Sequence, residues 1–192
     1  MNRLLLSTLH IASCSAFALL TSCATHSMNQ EEEAYNPVTN DVRFTTDYAA
    51  RLPGHMDTNG KKLVLVDPNV HAWGAYNPDG QLIRAGIATA GGPQCPPDAD
   101  KDDCRTGRGT FHITSLGSED CYSKIYPRPH GGGLMPYCMF FNNGQALHGS
   151  PDNIVVEDNV SHGCVRMRIP DAEWMRNDFA EVGTKVVVKD YQ

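Results

Sequence analysis

Residues 62–92 read KLVLVDPNVHAWGAYNPDGQLIRAGIATAGG. Three strand-like runs stand out: KLVLVD at 62–67, HAWGAYN at 71–77 and QLIRAGIATAGG at 81–92. Valine, isoleucine and aromatic side chains suit a pleated backbone. The last two runs meet at Asn77-Pro78-Asp79-Gly80, turn formers in succession, and are expected to make a β-hairpin.

The same texture continues downstream. RGTFHITSL at 108–116, YCMFFNN at 137–143, QALHG at 145–149 and TKVVVKD at 184–190 extend the β pattern, with Asn143-Gly144 as a tight turn. One helix is expected, from about 170 to 181, with Pro170 in its first turn, Met175 and Phe179 at helical spacing, and Gly183 as its stop. The fold class is therefore mainly β, built of mixed strands with one short helix near the C-terminus.

A chain of 192 residues, 41% hydrophobic and 20% charged, can bury one ordinary core, so one domain with an N-terminal appendage is expected. The net charge of -6 and the lack of clustered Lys and Arg exclude a phosphate-backbone binder, and no nucleic-acid partner is expected. The first residues have the form of an export signal: Arg3 is followed by a mostly apolar run over 4–20. His10 and several Ser and Thr interrupt that run, which falls short of the roughly 20 apolar residues a bilayer span requires.

LLTSC at 19–23 resembles a bacterial lipobox, whose cysteine is lipid-modified and becomes the first mature residue. Residues 1–22 are then a lipoprotein signal peptide and Cys23 the lipidation site; simple cleavage leaving a soluble exported protein is the alternative. Ala24 replaces the aspartate that retains many such lipoproteins at the inner membrane, which implies a periplasmic protein anchored by lipid to the outer membrane. Residues 23–46, polar and carrying the acidic run Glu31 to Glu33, suit a flexible tether.

With Cys14 in the signal and Cys23 lipidated, five of the seven cysteines remain: Cys95, Cys104, Cys121, Cys138 and Cys164. In an oxidising compartment an odd number leaves one thiol. Three pairings of four cysteines are open; Cys95 with Cys104 and Cys121 with Cys138 is favoured, because each pair brackets a Pro-, Gly- and Asp-rich insert, 91–107 or 118–134. Cys164 then stays free, inside SHGCVRM at 161–167.

A cysteine that attacks acyl groups needs a base within reach, a group that orients the base, and N–H donors for the oxyanion. His148 and His162 are both candidate bases, and Gly149 and Gly163 allow close backbone approach. Arg166 would share a face with Cys164 on a strand and could hold a carboxylate. Three competitors stand beside this reading: a zinc site from His148, His162 and Cys164, which lacks the usual ligand spacing; a disulfide at Cys164; and an inert buried thiol.

ALHGS at 146–150 followed by SHGCVRM resembles the paired signature of the YkuD-type L,D-transpeptidase catalytic domain, with 13 positions from His148 to Ser161. The stretch 64–92 resembles that family's opening hairpin, TGRGTFHI at 106–113 its T-P-x-G-x-F-x-I segment, and MPYCMFF at 135–141 the strand before its HG motif. The likeness spans about 62 to 190. Gly107 departs from the family's proline, and the two inserts exceed its common loops.

The resemblance implies a β-sandwich or barrel at 47–192, with Cys164 as nucleophile, His148 as general base oriented by the Gly149 carbonyl, and His162 in support. It places the N–H groups of Gly163 and Cys164 at the oxyanion, Tyr137 beside them, and Arg166 and Ser161 among the substrate-binding residues. Arg128 or Arg168 is expected to join Arg166 in a local positive patch. The implied substrate is the tetrapeptide stem of peptidoglycan, cut between its third residue and terminal D-Ala. An amine acceptor gives a 3-3 cross-link or a tethered protein, and water makes the enzyme an L,D-carboxypeptidase. A catalytically inactive wall-binding lipoprotein and a cysteine peptidase are the rival readings. No metal or organic cofactor is implied, and oligomeric state is left open.

Overall fold

The structure, a computed structural model, describes residues 46–192. The expected signal at 1–22, Cys23 and the tether up to residue 45 lie outside the described residues. Nine strands form two mixed sheets among the described residues: β1 (Leu63–Asp67), β2 (Ala72–Tyr76), β3 (Leu82–Ile87), β4 (Gly109–His112), β5 (Ser115–Leu116), β6 (Met139–Asn142), β7 (Gln145–Ser150), β8 (Val165–Arg168) and β9 (Lys185–Val188). The first sheet has the order β3-β2-β1-β9-β4, with β1 and β9 parallel; the second has the order β5-β6-β7-β8, with β7 and β8 parallel.

Both turns read from the sequence form. β2 and β3 pair antiparallel across 77–80, where the Asn77 N–H donates to Gln81 O at 3.0 Å and the Gly80 N–H to Asn77 O at 2.9 Å. Asn143 and Gly144, at φ 42° and 85°, close the β6–β7 hairpin in the left-handed conformations that a two-residue turn requires.

β1 has no polar position before Asp67 because both of its faces are covered. Val64 and Val66 enter the core between the sheets with Trp73, Met139, Leu147, Val165 and Met167. Leu63 and Leu65 face a second cluster, capped by Tyr48 and Leu52 from the segment preceding β1. Beyond β3 the chain continues along β8: Thr89 and Arg166 exchange backbone hydrogen bonds of 3.0 and 2.9 Å, so the strand after Cys164 is bound on both sides.

The helix differs from its expected extent. α1 spans Ile169–Trp174, the next turn widens to a π-helix over Met175–Phe179, and Ala180 is already extended, ahead of Gly183. The Ala180 N–H reaches back to Met175 O at 2.7 Å. Met175 and Phe179, four residues apart and so on one face of the turn, are both buried in the core.

Candidate active site

The parallel register of β7 and β8 sets His148 opposite Arg166, Leu147 opposite Val165 and Gly149 opposite Met167. Side chains alternate across a strand, and Leu147, Val165 and Met167 all point into the core. Ala146, His148, Ser150, Cys164, Arg166 and Arg168 therefore share the opposite face. Cys164, one residue ahead of β8, falls beside Ala146, with which it packs. His148 lies one strand across and two residues along, and both line one cavity.

The turn carrying the thiol is clamped from within. Ser161 Oγ donates to the Cys164 carbonyl and accepts the Gly163 N–H at 3.0 Å. Gly163, at φ 122°, holds a conformation open to glycine. Gly91 packs against it: a Cβ there would overlap the Cys104 carbonyl and lie 2.8 Å from Gly163 Cα. Cys104 is disulfide-bonded to Cys95, Cys121 is bonded to Cys138, and Cys164 is the free cysteine among the described residues.

His148 is 5% exposed, and its Nδ1 lies 2.8 Å from the Gly149 carbonyl. A carbonyl only accepts, so Nδ1 carries the hydrogen and Nε2 keeps its lone pair. Burial pushes the imidazole pKa down to about 4, against the Gly149 hydrogen bond that raises it and with the Arg166 charge that lowers it further. Burial pushes the Cys164 thiol up, while the Ala146 N–H and the charges of Arg166 and Lys101 draw it back. At neutral pH the pair is a thiol beside a neutral imidazole. Such a pair can move the proton as sulfur attacks, by general-base catalysis.

Two cavities meet at Cys164. The smaller, about 420 Å³, is lined by His148, Ser161, Arg166, Pro151 and Ile154; the larger, about 680 Å³, by Lys101, Gly144, Gln145 and Phe140. Ser123, Tyr126, Met135 and His162 border both. The two inserts close over this junction: Tyr126 stacks on His162 at 3.9 Å between ring centroids, His162 Nε2 donates to Asp98 Oδ1 at 2.7 Å, and the Arg128 N–H donates to Asp98 Oδ2 at 3.1 Å.

Several expected roles change. Tyr137, at φ 59°, lines neither cavity; its ring packs against the core and its hydroxyl interacts with Glu173 and Glu119. The Gly163 N–H is already given to Ser161 Oγ, which removes it as an oxyanion donor in this conformation and makes Ser161 a clamp of the turn. His162 is held by Asp98 and Tyr126, and no group of three His, Cys, Asp or Glu side chains placed to hold a metal forms among the described residues. Arg128 is paired with Asp100, and Arg168 is 8% exposed with Nε 3.8 Å from Asp152, which leaves Arg166 of the expected positive patch. Asp98, Lys101 and Tyr126 had no sequence signal beyond dense charge between two cysteines and an aromatic in a glycine-rich loop.

The model of the L,D-transpeptidase catalytic domain (YkuD) matches residues 61–188. YciB of Bacillus subtilis (strain 168), assigned by its name to the L,D-transpeptidases, is 30% identical over 209 residues, covering 95% of this chain and 98% of that protein. An L,D-transpeptidase from Xylanimonas cellulosilytica DSM 15894 superposes with a TM-score of 0.60 at 22% identity, over 73% of this chain and 66% of that one. L,D-transpeptidase 3 from Mycobacterium tuberculosis, solved with a faropenem-derived adduct, does so with a TM-score of 0.54 at 20% identity, over 67% and 60%. The chain thus spans less than two thirds of those two solved chains, whose likeness establishes the mainly β fold. By the family match and the full-length relative, this chain belongs to the L,D-transpeptidase (YkuD) catalytic-domain family.

Proposed function

We propose that the protein is a peptidoglycan L,D-transpeptidase that works through a thioester on Cys164. The observation that carries this reading is one free thiol at the junction of two cavities, on the same sheet face as a neutral imidazole and an arginine. Sulfur attacks the carbonyl of the third stem residue as its proton passes to His148 Nε2. The tetrahedral adduct collapses, the C–N bond breaks, and the imidazolium returns the proton to the departing amine of D-Ala. An incoming amine gives up a proton to the same nitrogen, attacks the thioester and restores the thiol. Water in place of the amine yields the carboxypeptidase outcome.

Arg166 has no carboxylate partner among the described residues and lines the smaller cavity with His148. It suits the D-Ala carboxylate, which it would bind through two parallel hydrogen bonds. The proposed setting is the periplasm, with Cys23 as the lipid anchor and residues 23–46 as the tether to the outer membrane.

The deciding experiment gives tetrapeptide muropeptides to the wild type and to Cys164→Ala, with mass spectrometry of protein and products. D-Ala release and a protein adduct, both lost in the variant, are expected. Cleavage of ordinary L-peptides without regard to D-Ala would replace this reading with a cysteine peptidase, and absence of both products with a binding protein. A penem offers a second probe, expected to leave one adduct on the wild type and none on Cys164→Ala.

A further inference from the structure

The insert at 91–107 does more than border the groove. It is stapled by Cys95–Cys104 and fastened twice to the residue two places before the nucleophile: Asp98 accepts from the His162 ring, and Lys101 Nζ donates to the His162 carbonyl at 2.9 Å. These anchors hold an ammonium beside the thiol turn, on the wall of the larger cavity. Among the described residues no carboxylate forms an ion pair with Lys101: its charge also acts on Asp103, but Asp103 is paired with Arg105 and the neighbouring Asp100 with Arg128.

Two cations thus flank one sulfur from different sides, Arg166 in the smaller cavity and Lys101 in the larger. Microscopic reversibility decides which part of a substrate each one meets. The base that protonates the departing amine must also deprotonate the incoming one, so both amines occupy the space next to His148. His148 and Arg166 line the smaller cavity only. The acyl chain on sulfur is left the larger cavity, where it comes under Lys101.

We propose that Lys101 is a specificity-determining residue for the acyl donor, binding a carboxylate carried on the side chain of the residue that forms the thioester. The proposal rests on Cys164 as the acylated nucleophile. A charge-assisted hydrogen bond in this cavity, walled by Phe140, Met135 and Tyr126 and lined also by Asp100, Asp120, Lys124 and Arg128, discriminates a carboxylate from its uncharged amide by about tenfold or more. Binding gains made before bond breaking appear mainly in KM.

The test compares two tetrapeptide donors that differ only in a free or amidated carboxylate on the side chain of the third residue. Acylation kcat/KM is measured for the wild type, Lys101→Ala and Lys101→Arg from the mass of the thioester and released D-Ala. The wild type is expected to favour the free acid by about tenfold, Lys101→Ala to bring the ratio near one, and Lys101→Arg to keep most of it. If Lys101 only fastens the insert, Lys101→Ala slows both donors alike and the ratio survives, which overturns the proposal. A wild type indifferent to the carboxylate overturns it equally. A wild type acylated by neither donor sinks the underlying role of Cys164, an outcome distinct because it needs no Lys101 variant.

Discussion

Gly91 and Gly163 pack backbone to backbone: a Cβ built on Gly91 would lie 2.8 Å from Gly163 Cα and 2.9 Å from its nitrogen, and would overlap the Cys104 carbonyl. The thiol turn is seated on the strand extension beyond β3 through this contact and the Ser161 N–H to Ala90 O bond of 3.0 Å.

Gly91→Ala is therefore expected to destabilise by about 3 kcal/mol, as overpacking of a rigid backbone contact does. Where the variant still folds, acylation should fall about 100-fold, because the sulfur is displaced. Gly54→Ala is the control, since a Cβ there meets nothing within 4 Å and is expected to change stability by less than about 0.5 kcal/mol. Thermal melting and acylation rates on both variants check this; a harmless Gly91→Ala would show that the turn is not seated there.

Cys164→Ala and His148→Ala should each lower D-Ala release by about 1,000-fold or more, since nucleophile and base act as one unit. His162→Ala should cost much less, because its ring is bound to Asp98 and Tyr126. Full activity in His148→Ala would transfer the role of base to His162.

The buried imidazole gives a pH dependence of known sign. The folded His148 pKa, about 4, lies below the ordinary 6.5, so on acidification the unfolded chain takes up the proton first. Its contribution to stability is present above about 6.5 and is lost as the pH falls from there toward about 4, in total about 3 kcal/mol. Urea midpoints measured between those limits should drop for the wild type and flatten in His148→Gln. Acylation should rise as the pH passes upward through about 4 and then level off, because the base must be neutral.

Tyr137→Phe tests the displaced oxyanion role. The ring faces Glu173 and Glu119 rather than either cavity, so loss of its hydroxyl should leave acylation within about twofold. A loss near 100-fold, the size of a missing oxyanion donor, would return Tyr137 to the site.

Local chemistry was legible along the chain. The valine-rich runs of 63–67 and 185–188, the turns at 77–80 and 143–144, and one unpaired thiol beside two disulfides follow from neighbouring residue types or from counting thiols; that the unpaired one is Cys164 is decided by the fold. The paired HG and SHGC segments marked the site through their resemblance to the L,D-transpeptidase signature, since each residue type alone is a weak signal.

Long-range partners were not legible. Nothing near Leu63 names Lys185 as its parallel neighbour, and nothing in 118–134 names His162 as the surface on which Tyr126 stacks. The directions of Tyr137 and the Gly163 N–H depend on left-handed backbone angles that tertiary packing holds in place. Sequence by itself determined which groups could do acyl-transfer chemistry, because reactivity belongs to the side chain. Only the tertiary structure decided which of them share a face, a cavity and a proton, because those relations are set by strand register and by loops folded back across more than sixty residues, as from Asp98 to His162.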